Sequence, residues 1–584
     1  MTRRFQIVFC AASCFCVTAF LSGRLADWKA APGADFPLVG GDYANTRYST
    51  LTRINKSNIG RLGGAWMVHV EGGRGGLMQA TPVVVGGTMY LSTGHISARD
   101  ARTGALKWEY PSGANSFGRG TANRGVVVAE GKVFSSMSGN NLIALDEKTG
   151  DVVWQTKIAD RGNTNAPAVY HDGLVYMGVG GGESGVRGQF GAYDAKTGKE
   201  VWKFWTIPGP GELGHETWEG DSWKYGGAPV WTHPAIDPDL GTVYIATGNA
   251  GPDNDGTKRG GDNLFTVSVV ALDLKTGKYK WHFQEVHHDL WDYDGPSPVI
   301  LFDVRINGRV RKAAAEANKA GWVYILDRTN GKPLIGIDEK PVPQEPRQRT
   351  SPTQPIPRGD AFVPQSVDIA PEGFPLVNQG RVFTPFWKEP IVARPGARGG
   401  ANWPPSSYDP ATNYFYVCAT DAANVFRGGE DDQPITPEGT RYIGSAFGGA
   451  PIPASGIFAA LDMKTNRLVW QQRWRDSCYS GSVTTAGGLV FVGRNDGRLT
   501  ALHAATGARL WEFQTGAGLN APASVFEYEG QEYVVAYSAG SLFAGSPRGD
   551  SVWLFSLSGT LNEAPAASAA APPAAPAPVA AEHQ

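Results

Sequence analysis

An all-β fold built of repeated sheets, a β-propeller, is the fold class this sequence predicts. Three observations predict it. The composition is rich in turn and aromatic residues, with 76 Gly and 18 Trp in 584 residues and only 18% charged residues, a balance typical of ordered, turn-rich β-structure. A unit reading Ala-x-Asp-x-x-Thr-Gly, three variable residues and Trp recurs along the chain. Between its copies lie alternating apolar runs such as PVVVGGTMYLST and GLVYMGV, which read as strands joined by tight turns.

The repeat appears at 98–108 (ARDARTGALKW), 144–154 (ALDEKTGDVVW), 192–202 (AYDAKTGKEVW) and 271–281 (ALDLKTGKYKW), with weaker copies at 325–334, 460–470 and 501–511. Its Asp-x-x-Thr-Gly core is turn chemistry: the Asp bonds the local backbone and the Gly takes positive φ. The small Ala and large Trp at fixed offsets let neighbouring sheets interlock. Spacing is 46 residues from Asp100 to Asp146 and 48 from Asp146 to Asp194. That is the length of a four-stranded propeller unit, so residues 33–560 are expected to form a propeller of about eight blades. Two stretches, 335–400 and 427–455, break the period, are rich in Pro and Gly and show no strand alternation. Long insertions of this kind cover or line a site.

The ends differ from the body. Arg3 and Arg4 precede an apolar run at 5–21 and then Ser22 and Gly23, the layout of an export signal over residues 1–30; an uncleaved membrane anchor is the alternative. The last residues, 561–584, are an Ala/Pro-rich tail expected to stay outside the fold. A net charge of −2 argues against a nucleic-acid partner held through phosphates. Three of the five cysteines lie in the leading segment, leaving Cys418 and Cys478, whose pairing the sequence leaves open. The sequence has no CxxCH haem-attachment motif, so an electron carrier, where one is needed, is expected to be a separate protein.

Chemistry concentrates at 281–294, WHFQEVHHDLWDYD. Asp292 and Asp294 stand two residues apart, which in an extended segment puts both carboxylates on one face, roughly 6–7 Å apart. Like charges so placed repel unless a cation sits between them or one stays protonated; a hard cation with oxygen ligands suits the pair, and a solvated acidic turn is the plain alternative.

Read with GGDYANTRYSTLTRINKSNIGRL, GGGESGVRG, VYIATGN, GWVYILDRTNGK and TTAGGLVFVGRNDGRLTAL, this stretch makes the chain resemble the quinoprotein alcohol dehydrogenases, which use pyrroloquinoline quinone (PQQ). The resemblance covers about residues 40–558. It implies an eight-bladed propeller that holds PQQ near its axis beside one metal ion and oxidises an alcohol to an aldehyde or ketone. Glu183, Asn249, Asp292 and Asp294 match the family's metal ligands, Asp292 also the catalytic base, and Asp294 the extra carboxylate of the lanthanide-dependent branch; Ca²⁺ is the alternative ion. Trp231 matches the indole under the PQQ ring. Arg124 and Lys319 match positive groups at the quinone oxygens or carboxylates, Lys319 with a catalytic role in stabilising developing charge. Gln79 stands where many members have Glu. Thr164 and Asn402 match hydrogen-bonding positions, and Gly180, Gly181 and Gly182 give the backbone close approach to the ring. The adjacent cysteine pair of many members has no counterpart around STGHISARD.

The resemblance further implies a periplasmic enzyme passing electrons to a cytochrome c, or to ubiquinone; the sequence leaves the oligomeric state open, a homodimer being one option. Two other readings stand beside it: a PQQ-dependent polyol, sugar or polymer-alcohol dehydrogenase, and a non-catalytic propeller scaffold like the outer-membrane assembly lipoproteins that share the Trp repeat.

Overall fold

A computed structural model describes residues 30–70, 78–110, 123–428, 443–444 and 446–566. The export signal expected at 1–30 lies almost wholly outside these residues, as does most of the Ala/Pro tail. No helix among the described residues is long and apolar enough to cross a membrane; the helical turns are short 3-10 segments and the rest is strand and loop.

Among the described residues ten sheets form, and eight of them, leaving aside two small ones within the insertions, follow one another in chain order. Seven are antiparallel, at 83–110, 126–157, 169–205, 235–284, 300–327, 407–474 and 482–514; their strands are consecutive except at 407–474, where Asn424–Arg427 and Ala446–Gly449 belong to another sheet, and Tyr48–Ser49 adds a parallel edge to the last. The eighth pairs three C-terminal strands, Ser524–Tyr528, Gln531–Ser538 and Ser551–Ser556, with Gly63–His69 from the other end of the chain.

The repeat sets both the turn inside each sheet and the contact between sheets. Asp100 Oδ1 accepts from Thr103 N and Oγ1, each at 2.8 Å, and Asp194 and Asp273 cap their turns in the same way. Within a sheet the repeat's Ala lies directly opposite its Trp: Ala98 pairs Trp108, Ala144 Trp154, Ala192 Trp202, Ala271 Trp281, Ala460 Trp470 and Ala501 Trp511. The indole then reaches the next sheet. Trp108 Nε1 donates to Glu147 O at 2.8 Å, and Trp154, Trp281 and Trp470 make the equivalent bond one repeat further on. The repeat's Gly is obligatory there, because a Cβ on Gly277 would lie 2.3 Å from the Trp202 ring at a φ of +67°.

One segment near the N-terminus touches each of the eight sheets in chain order. Phe36 bridges Val84, and Leu38 packs in one core cluster with Val127. Tyr43 OH donates to Tyr170 O, and Ile236 N donates to Tyr43 O, both at 2.8 Å. Leu301 N donates to Ala44 O, Tyr408 N to Thr46 O and Thr484 N to Arg47 O. The fully buried Arg47 guanidinium donates to Ser482 O at 2.7 Å and Ala523 O at 2.5 Å.

Three expectations are corrected. The insertion at 335–400 does contain strands: Ile337–Pro341 pairs with Thr353–Pro357, and Ile391–Ala393 pairs with Asn424–Arg427. Prolines at the ends and edge of this hairpin hide it from a pattern of alternation. The start of the tail is held to the fold, with Leu561 N donating to Gly64 O and Ala564 N to Gln514 O. Asp292 and Asp294 do not lie on an extended segment, since Asp292 takes a φ of +61° in a loop without strand pairing. Cys418 and Cys478 form a disulfide, their Cα atoms 5.3 Å apart.

Candidate active site

Glu183 sits in a 3-10 turn, Gly182–Ser184, framed by Gly181 and Gly185 at φ of +92° and +60°. The glycines before it admit neighbouring asparagines: a Cβ on Gly180 would lie 2.6 Å from the side-chain oxygens of Asn163 and Asn165, and one on Gly182 3.0 Å from Asn249 Oδ1. Asn249, buried just past the strand Thr242–Ala246, donates its backbone N–H to Asp294 Oδ1 at 2.7 Å and its side-chain amide to Asp253 Oδ1 at 2.8 Å. Asp253, in the loop GPDND, was not anticipated, because a lone acid in a loop carries no pattern.

Lys319 joins the two acids of the loop. Its ammonium pairs with Asp292 Oδ1 at 3.1 Å and with Asp294 Oδ2, and also donates to Asp292 O at 2.7 Å. Burial alone would lower the Lys319 pKa, but the carboxylates of Asp292 and Asp294 outweigh it and hold the ammonium charged. Asp292 is pushed well above the ordinary carboxylate range, first by burial and then, against the pull of Lys319, by Asp294, Glu183 and Asp289. Asp253 is raised by burial and by Asp292, Glu183 and Asp294. Four acids therefore act on one another around a single lysine. No three His, Cys, Asp or Glu side chains among the described residues close into a metal cage by themselves.

The insertion at 335–400 clamps the residues on either side of Asp292. Trp291 Nε1 donates to Thr384 O at 2.8 Å and Tyr293 OH to Pro395 O at 2.6 Å. Gln348 of the same insertion bonds the loop after Asp253, accepting from Gly256 N at 2.8 Å.

A second cluster adjoins the first. Arg124 is buried, donates to Gln79 Oε1 at 2.9 Å and to Trp231 O at 2.5 Å, and lies over the rings of Trp231 and Trp403 at 4.8 and 5.5 Å. Burial lowers its pKa to about 10, countered by Tyr479 and Asp294. Asn402 Oδ1 accepts from Tyr479 OH at 3.3 Å and Trp403 N at 2.8 Å. Trp403 and Tyr479 were also missed, since single aromatics outside the repeat give no signal. Thr164 instead donates to Met137 O at 2.5 Å, away from both clusters' hydrogen bonds. The disulfide stands next to Tyr479, where Ser480 N donates to Cys418 Sγ at 3.3 Å.

The donor set suits both implied groups. The acids and Asn249 offer only oxygen, and their excess negative charge exceeds what Lys319 balances, which suits a hard cation. Arg124 is a buried guanidinium whose hydrogen-bond partners are neutral, which suits an anionic cofactor. A cavity of about 420 Å³ lies beyond the Glu183 turn, among Gly185, Arg187, Trp205 and Tyr225, and neither Asp292 nor Lys319 lines it.

Residues 36–442 match the family described as PQQ, glucose/ethanol/alcohol dehydrogenase, beta-propeller domain. The chain belongs to the PQQ-dependent alcohol dehydrogenase family. Residues 428–579 also match the outer membrane protein assembly factor BamB family. Among relatives of this dehydrogenase family, the quinohemoprotein alcohol dehydrogenase of Comamonas testosteroni is 37% identical over 89% of this chain and 75% of its own length. The lanthanide-dependent methanol dehydrogenase of Methylacidiphilum fumariolicum is 32% identical over 85% of this chain and 83% of its own. The crystal structure of the Comamonas dehydrogenase superposes with a TM-score of 0.78, 32% identity and coverage of 92% and 82% of the two chains. A europium-containing methanol dehydrogenase structure gives 0.75, 27% identity, and 91% and 99%.

Proposed function

We propose that this protein is a periplasmic eight-bladed propeller dehydrogenase that oxidises an alcohol to an aldehyde or ketone, with PQQ as two-electron acceptor and a lanthanide ion beside it. The observation that carries the reading is the set of acids gathered on Lys319 next to a buried guanidinium with only neutral partners. When bound, PQQ supplies the redox chemistry and the metal a Lewis acid. Glu183, Asn249, Asp292 and Asp294 would hold the metal, and Asp253 would orient Asn249 through their hydrogen bond. Trp231 offers a flat apolar face for the ring. Arg124, set by Gln79, meets the cofactor's negative charge; Thr164, Gly181, Gly182 and Asn402 complete its surroundings. Asp292 takes the hydroxyl proton of the alcohol at its carboxylate, and Lys319 steadies that carboxylate and the charge developing beside it. The clamp on Trp291 and Tyr293 keeps water from this face. Eight blades are supported by eight successive sheets sharing one contact segment, closed by Gly63–His69. Electrons pass to a separate cytochrome c.

Ca²⁺ in place of a lanthanide is the second reading, favoured by the way Lys319 already neutralises Asp294. The metal-free protein is reconstituted with PQQ and either La³⁺ or Ca²⁺, and dye reduction is followed with a primary alcohol and a polyol. Turnover with La³⁺ alone supports the lanthanide reading, and turnover with Ca²⁺ alone replaces it with the second. Asp292→Asn should abolish turnover in a folded protein; retained turnover removes Asp292 as the base.

A further inference from the structure

A second acid pair lies deeper than the residues gathered on Lys319. Glu285 follows the strand Tyr279–Gln284, Glu316 lies in Arg309–Ala317, and both side chains are fully buried. One oxygen of each is satisfied: Asn318 Nδ2 donates to Glu285 Oε2 at 2.7 Å and Ser297 N to Glu316 Oε1 at 2.9 Å. The remaining oxygens, Glu285 Oε1 and Glu316 Oε2, are buried without a donor from any other described group. Tyr324, directly opposite Glu316 across the strands, donates its hydroxyl to Glu285 O, and Asn318, two residues beyond Glu316, holds Glu285 Oε2, so the two carboxyl groups are neighbours. Two bare carboxylate oxygens have no hydrogen to place between them, and two buried negative charges in contact repel.

We propose that Glu285 and Glu316 share one proton, and that this acid–carboxylate pair is the element that positions the Asp292–Asp294 loop. The connections run both ways from it. Asn318 Nδ2 donates to Asp294 O at 3.0 Å as well as to Glu285, and Asn318 Oδ1 accepts from Ala320 N at 2.7 Å, so one side chain fixes the loop and brackets Lys319. Glu316 holds Ser297 N on the far side of the loop, and Ser297 Oγ donates to Asn402 O at 3.0 Å. The pair thus grips the loop backbone at residues 294 and 297 and ties it to the segment that carries Asn402. Glu285 and Glu316 are positioning residues, since the contacts they make run through Asn318 and Ser297.

The surroundings favour the shared proton. Burial first, against bonds from Asn318 and Glu316, raises Glu285 to about 8. Glu316 is raised well above the ordinary range by burial, then by Glu285 and Asp294. The facing groups are Asp294 from the loop, Lys319 next to Asn318, and Tyr324, whose hydroxyl donates to Glu285 O at 3.0 Å and stays protonated through burial and both glutamates.

This inference rests on the reading of the Asp292–Asp294 loop as the reacting loop, and its first test does not depend on that reading. Thermal unfolding of the metal-free, PQQ-free protein is measured for Glu285→Gln, Glu316→Gln and the double variant. Either single amide supplies a hydrogen between the two groups and should leave the unfolding temperature close to wild type. Two amides turn donor against donor, so the double variant should fall far below the sum of the singles; additivity would overturn the shared proton. The folded pair keeps a proton that unfolded carboxylates release near their ordinary value of 4.5, so the folded state binds more protons up to about pH 8. Wild-type stability should therefore decline as pH rises through that window, and Glu316→Gln should lose that slope. For the holoenzyme, Glu316→Leu should lower turnover about a hundredfold by loosening the loop, and Glu316→Gln should restore it while removing the alkaline fall in the turnover profile. An unchanged profile in Glu316→Gln would overturn the positioning role, whereas turnover surviving in Asp292→Asn would count against the proposed function alone.

Discussion

Asp292 and Asp294 share one lysine, and that sharing determines what each substitution should do. Asp294→Ala removes one of the oxygens proposed to hold the metal and one negative charge while leaving Asp292 paired with Lys319. La³⁺-supported turnover should fall selectively, since a trivalent ion loses more from a missing charge; equal loss with both ions would end the metal-selectivity argument. Lys319→Gln leaves two buried acids without their cation and should cost about 3–5 kcal/mol in the metal-free protein. Added La³⁺ should raise the unfolding temperature more in that variant than in wild type. At this scale the sequence pointed to residues that the fold brings near one another where they sit in a motif, as with Glu183, Asn249 and the Asp292/Asp294 doublet. Asp253, Trp403, Tyr479 and the Glu285–Glu316 pair come together only through folding, and nothing in their local spacing announces it. The doublet itself misled in geometry, because the positive φ at Asp292 replaces the strand that its spacing suggested.

The repeat was the most legible element, because one short pattern encodes a turn, a cross-strand pair and a contact with the next sheet. Trp108→Ala removes a buried indole and its bond to Glu147 O, and should destabilise the protein by about 3–5 kcal/mol. Gly277→Ala should be destabilising as well, since its Cβ meets the Trp202 ring at a positive φ. Chemical denaturation read by Trp fluorescence checks both. The disulfide was illegible for the opposite reason: two cysteines 60 residues apart carry no information about contact. Cys418→Ser with Cys478→Ser should cost about 2–4 kcal/mol, read by the same denaturation.

For the whole molecule, a succession of small sheets could be read from the repeat, but the manner of their joining could not. The pairing of Gly63–His69 with Ser551–Ser556 and the path of residues 36–49 past each sheet depend on contacts between distant segments, with His69 and Asp550 bonded at 2.6 Å across 481 residues. Deleting residues up to 69 should expose the edge of Ser551–Ser556 and produce oligomers by size-exclusion chromatography, because an unpaired edge recruits other strands.

That joint also imposes a timetable. During synthesis the strand Gly63–His69 emerges long before its partner, and at about 5–20 residues per second its wait is roughly 25–100 s. Arg47 waits nearly as long for Ser482 and Ala523. Until then the growing chain carries a row of unpaired backbone groups at its beginning. The molecule is finished in one late event, when its last strands arrive, and a ribosome that stalls before residue 551 leaves a chain with every earlier sheet made and the seam still open.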